Sequence, residues 1–87
     1  MKVYGKHVQP LAGPEKAFGD AFRRLRKKSG ISQETVSDQA GCDRTTVSLI
    51  ERGLVSPKLE TIVKMCKAIP ALPSEVMRTM EKSALYS

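Results

Sequence analysis

Apolar residues recur along this chain three and four positions apart, the spacing of one face of an α-helix, in five successive stretches. Phe18, Phe22 and Leu25 make the first stripe, and Pro14 ahead of them suits a first helical position, so a helix is predicted from Pro14 to about Lys28. Val36 and Ala40 make the second, on one face with Gln33, while Glu34, Asp38 and Gln39 fall on the wet side. Val47 and Ile50 make the third and leave Arg44, Thr45, Ser48 and Leu49 pointing outward. Leu59, Ile62, Val63, Cys66 and Ile69 make the fourth. Val76, Met77, Met80 and Ala84 make the fifth, opposite Arg78, Glu81 and Lys82. The expected fold is all-α, a bundle of five helices.

Capping residues place the breaks. Ser32 is a good N-cap, and Glu34 sits at the positive end of the helix it opens. Gly41 can take the left-handed conformation that closes a helix, and Asp43 is expected to accept from the amide of Thr45 or Thr46 as the next N-cap. Gly53 ends that helix. Ser56 and Pro57 read as an N-cap and first-turn proline for the fourth helix, Pro70 stops it, and Pro73 and Ser74 precede the fifth. Gly19 costs stability inside the first helix, which implies that another backbone approaches it closely. Residues 1–13 hold Gly5, Pro10 and Gly13 and read as an arm or short strand, made basic by Lys2, Lys6 and His7. The predicted organisation is an arm over 1–13, one domain over 14–82 and a tail over 83–87.

Eighty-seven residues make one small domain near the lower limit for a core without staples, so oligomerisation is a natural supplement. Leu72, Val76, Met77 and Met80 are expected to form a self-complementary patch across a two-fold axis. The net charge of +6 is uneven: residues 1–30 hold eight Lys or Arg against two acids, residues 31–52 two against four, and the rest five against three. Arg23, Arg24, Arg26, Lys27 and Lys28 therefore supply a positive field beside a slightly acidic helix pair. The same cations also complement the negative end of the first helix. Cys42 and Cys66 lack metal-ligand spacing and read as small buried hydrophobes. With one histidine, no nucleophile beside a spaced base, no phosphate-cradling glycine loop and no paired carboxylates, the chain carries no catalytic, metal or cofactor site. Without a signal peptide or long apolar segment it is expected in the cytoplasm, associated with the nucleoid, and not at a membrane.

The segment SQETVSDQAGCDRTTVSLIERG, Ser32 to Gly53, is two short helices joined by a glycine turn. It resembles the helix-turn-helix of the lambda repressor and Cro superfamily, the XRE family. Upstream, FGDAFRRLRKKSGISQE looks like that family's first helix and basic exit, and downstream IERGLVSPKLETIVKMCKAI looks like its loop and fourth helix. The resemblance runs from about Phe18 to Met80 and implies a compact five-helix DNA-binding domain. Ser37 stands where the family usually has alanine, and a serine can bond back to a helix carbonyl. The family also implies an ion pair between Arg26 and Glu51, and a brace from Gln33 to Arg44.

In such a domain the N-terminal turn of the second motif helix enters the major groove, so Arg44 and Thr45 lead the base contacts, followed by Ser48 and Leu49. Arg44 can grip guanine O6 and N7 with both ends of its guanidinium, and Thr45 and Leu49 can meet a thymine methyl. Gln33, Thr46, Arg52 and Lys58 are expected on phosphates. Two functions follow. One is a dimeric regulator that binds a palindromic operator in double-stranded DNA and represses, or activates by touching RNA polymerase. Its DRTTVSLIERG segment looks most like restriction-modification controller proteins, with phage repressors and plasmid regulators close behind. The other is an antitoxin that binds a toxin protein and autoregulates its operon.

Overall fold

The computed structural model describes residues 13–83, and among them it contains five helices and no strand. The residues of the expected basic arm up to position 12, with Lys2, Lys6 and His7, lie outside the described residues, as do Ala84 and the rest of the tail.

Helix α1 runs Pro14–Lys28 with Pro14 in its first turn, Glu15 at its positive end and Arg26, Lys27 and Lys28 at its negative end. Helix α2, Gln33–Ala40, starts at Ser32, whose Oγ accepts from the Thr35 amide at 3.1 Å, and closes on Gly41 at φ 69°. Ser37 Oγ donates to the Glu34 carbonyl at 2.8 Å, so the serine satisfies its hydroxyl within its own helix. Ser32→Ala is expected to lower stability by about 1 kcal/mol, the usual cost of an N-cap, read as a lower melting temperature.

Helix α3, Arg44–Glu51, departs from the expected cap. Asp43 occupies the N-cap position in extended conformation, but its side chain accepts no cap hydrogen bond; only its carbonyl is used, by the Val47 amide at 3.2 Å. Gly53, at φ 73°, turns the chain after it, with the Leu54 amide bonded back to the Leu49 carbonyl at 2.9 Å. Helix α4, Leu59–Lys67, begins later than the Ser56–Pro57 pair suggested, with Lys58 at the cap position. The fixed φ of a proline suits extended chain as well as a first helical turn, and here Pro57 serves the extended approach. Helix α5 is Pro73–Glu81, and Glu75 folds back so that its Oε1 accepts from the Leu72 amide at 3.0 Å.

The core gathers Phe22, Val36, Val47, Ile50, Met65, Cys66 and Val76, with Phe18 and Phe22 stacked at 5.9 Å between ring centres. The buried stripe of α4 is rotated from the expected one. Ile62, Met65, Cys66 and Ile69 face the core, whereas Leu59 is 73% and Val63 37% exposed. The last helix needs a parallel correction: Val76 and Met80 are buried in the monomer, at 1% and 5% exposure, while Leu72 and Met77 face outward at 65% and 44%. Val76 and Met80 are thus packed within the chain, and Leu72 and Met77 are the members of the expected patch that stay exposed.

Gly19 explains how α1 and α3 can lie so close. A β-carbon there would collide with the Ile50 carbonyl oxygen and sit 2.8 Å from that of Glu51. Only a residue without a side chain lets the two backbones touch. The opposite face of α1 packs on α5, where Ala17, Asp20, Ala21 and Arg24 border a notch with Thr79 and Lys82.

Candidate nucleic-acid interface

Three helices meet at one buried carboxylate. Arg26 of α1 donates from Nε to Glu51 Oε2 at 2.6 Å and from Nη2 to Glu51 Oε1 at 2.9 Å, while its Nη1 donates to the Ile31 carbonyl at 2.9 Å. Glu51, at the end of α3, is 1% exposed and Arg26 7%. The forked geometry holds both oxygens of Glu51, so the C-terminal end of α3 is fixed in angle against α1. Gln33, the first residue of α2, adds a third strut, donating from Nε2 to Glu51 Oε1 at 3.1 Å. The family resemblance implied that Gln33 would brace Arg44. Its side-chain hydrogen bond goes instead to Glu51: the Gln33 NH2 needs an acceptor, which the Glu51 carboxylate provides and a guanidinium does not. That third strut left no periodic trace in the sequence; the only signal was a polar residue on the inward face of α2 with Val36 and Ala40.

The outer side of α3 faces solvent. Arg44 and Thr45 are exposed in its first turn, Thr46, Ser48 and Leu49 are half-buried along it, and Arg52 is exposed at its end. Gln33, Arg44, Thr45, Ser48 and Arg52 line one shallow cleft between α2 and α3, and Arg26, Ser32, Gln33, Glu34 and Arg44 line a second beside it. Gln33 and Arg44 border both. Arg44 forms no hydrogen bond or ion pair among the described residues, so its five donors are available. Lys58 is exposed at the start of α4.

The basic run does not act as one patch. Arg26 is consumed by Glu51, and Arg24 borders the notch with α5, on the face of α1 away from α3. Arg23, Lys27 and Lys28 remain exposed. Glu34, Asp38 and Asp43 keep the exposed side of α2 and the turn acidic, so cations near α3 are few and individually placed.

The thiols offer no competing chemistry. Cys66 is buried and Cys42 half-buried. Burial pushes both thiols above the ordinary cysteine range, and at Cys42 the neighbouring Asp43 carboxylate adds to the rise, so both stay protonated at neutral pH. Among the described residues no cluster of His, Cys, Asp and Glu is placed to hold a metal, and no helix is long and apolar enough to cross a membrane.

Residues 17–78 match the family described as helix-turn-helix domain. The chain belongs to this helix-turn-helix family. Control protein C.BamHI of Bacillus amyloliquefaciens is 36% identical over 61 residues, covering 69% of this chain and 75% of the relative. The cryptic phage CTXphi transcriptional repressor RstR of Vibrio cholerae is 38% identical over 50 residues, covering 58% of this chain and 45% of the repressor. Among solved structures, the restriction-modification controller protein C.AhdI from Aeromonas hydrophila superimposes with a TM-score of 0.66 at 38% identity, covering 70% of this chain and 92% of the controller. These helix-turn-helix relatives are named for control and repression, not for catalysis.

Proposed function

We propose that this helix-turn-helix protein is a sequence-specific transcription regulator that binds a palindromic operator in double-stranded DNA as a homodimer, in the manner of a restriction-modification controller. The observation that carries this reading is the first turn of α3. Arg44 and Thr45 stand exposed there, Arg44 without a partner among the described residues, on a helix whose inner side is tied to α1 and α2 by Arg26, Glu51 and Gln33. A rigidly held helix with free donors at its leading end suits major-groove reading. Ser48 and Leu49 extend the base-reading side, and Gln33, Thr46, Arg52 and Lys58 flank it for phosphates. Controllers and repressors among the relatives support this reading, and nothing in them supports an antitoxin. Contact with RNA polymerase belongs to the activating form of the same regulator.

Selection from a randomised duplex library tests the proposal. The expected product is a consensus of two inverted half-sites spaced by about one helical turn. Enrichment of no sequence would sink it.

The dimer rests on the apolar surface that the monomer leaves uncovered. Val63, Ile69, Ala71 and Leu72 border one groove, and Leu59 and Met77 add exposed apolar area. Leu72→Asp with Met77→Asp is expected to sediment as a monomer and to bind the full palindrome no better than a single half-site, while folding normally because neither side chain is in the core. A dimer of unchanged stability would place the interface elsewhere.

A further inference from the structure

Glu51 has a second consequence beyond tying α3 to α1. Its Oε1 accepts from Arg26 Nη2 at 2.9 Å and from Gln33 Nε2 at 3.1 Å. An ionised carboxylate can only accept, so of the two ends of the Gln33 amide only the NH2 can face it. This settles which way the amide is turned. One of its two hydrogens goes to Glu51, and Gln33 makes no other side-chain hydrogen bond among the described residues. The second N–H is left for the clefts that Gln33 borders with Arg44.

We infer that Glu51 is a positioning residue for DNA binding, which holds the Gln33 amide so that its second N–H donates to a phosphate oxygen. The inference rests on the DNA-binding reading above. Gln33 opens α2, where the helix's positive end and the Arg44 cation both favour an anion, against the exposed carboxylate of Glu34 on the same cleft. The Glu51 charge does not repel that phosphate strongly, because Arg26 neutralises it with a fork of two hydrogen bonds. Released from Glu51, the amide is free to turn its carbonyl oxygen outward, an acceptor against an acceptor. The phosphate grip of α2 is thereby made to depend on the ion pair between α1 and α3.

A double-mutant cycle on affinity tests this, using the duplex selected from the randomised library and a temperature at which every variant is folded. Gln33→Met should weaken binding about tenfold, the loss of one hydrogen bond to a charged group. Because the lost donor is neutral, the salt slope of log affinity should stay unchanged. In a Glu51→Gln background, where a donor replaces one of the oxygens, the same Gln33→Met change should cost less than about twofold, since the amide is already misdirected. Additive costs would overturn the inference, as would an unchanged affinity of Gln33→Met. Should Glu51→Gln fail to fold, the side-chain amide resonances of Gln33 in the unmutated protein decide. One N–H signal is expected to shift on adding the duplex while its Glu51-bonded twin stays, and two static signals overturn the inference. Failure of the unmutated protein to bind any duplex would sink the DNA-binding reading itself, a result distinct from additive costs in a protein that binds.

Discussion

Glu51→Ala is expected to destabilise the folded chain by about 3 to 5 kcal/mol, the cost of removing one partner from a buried ion pair. The magnitude comes mainly from what is left behind. Arg26 is 7% exposed, and without Glu51 its guanidinium keeps only the Ile31 carbonyl, so a buried cation loses its neutralising charge and two of its hydrogen bonds. A domain of this size has a total stability on the order of 5 to 10 kcal/mol, so the loss is a large fraction of the whole. The melting temperature, followed by circular dichroism, is expected to fall by more than about 10 °C. Replacing the pair together, Arg26→Met with Glu51→Leu, should restore much of the stability, because neither charge is then stranded. An unchanged melt for Glu51→Ala would mean that the pair contributes nothing to stability despite its burial.

Arg44→Ala is expected to cost about 1 to 3 kcal/mol of affinity for the preferred operator while leaving the weak binding to random DNA nearly intact, because a base contact exists only at the right sequence. Lys58→Ala should behave differently. It should weaken binding to all sequences and reduce the salt slope of log affinity by about one, as a lost phosphate contact does. Titrations of both variants against the selected and a scrambled duplex, over a series of salt concentrations, separate the two behaviours. A uniform loss with a changed slope for Arg44→Ala would make Arg44 a phosphate ligand, and specificity would then fall to Thr45, Ser48 and Leu49. Neither variant should alter folding, since both side chains are exposed.

The helix pair at the centre of the proposed site was legible because its signals are local. Ser32 caps through its own hydroxyl, Gly41 and Gly53 adopt positive φ, and Val36, Ala40, Val47 and Ile50 are apolar on a helical period that only one packing direction satisfies. Gly19 was readable for a related reason. A glycine inside a helix is unfavourable in isolation, so its presence pointed to a neighbouring backbone, and the Ile50 and Glu51 carbonyls are there. Asp43 shows the limit of such reasoning: a residue with a strong capping preference sits at the cap position and makes no capping bond.

By itself, the sequence determined how many helices form, where most of them start and stop, and which short helix turns its polar side outward. These depend on residues within a few positions of each other. Tertiary structure alone decided which of two overlapping apolar stripes is buried. On α4 both Leu59–Val63–Cys66 and Ile62–Met65–Cys66–Ile69 satisfy helical spacing, and only the direction of the remaining core selects the second. The same choice drew Val76 and Met80 of α5 inward and left Leu72 and Met77 outside. It likewise brought Gln33 to Glu51, eighteen positions away along the chain, at 3.1 Å. Periodicity states which residues share a face; where that face points, and which distant polar group it meets, is set by the packing of the other helices around it.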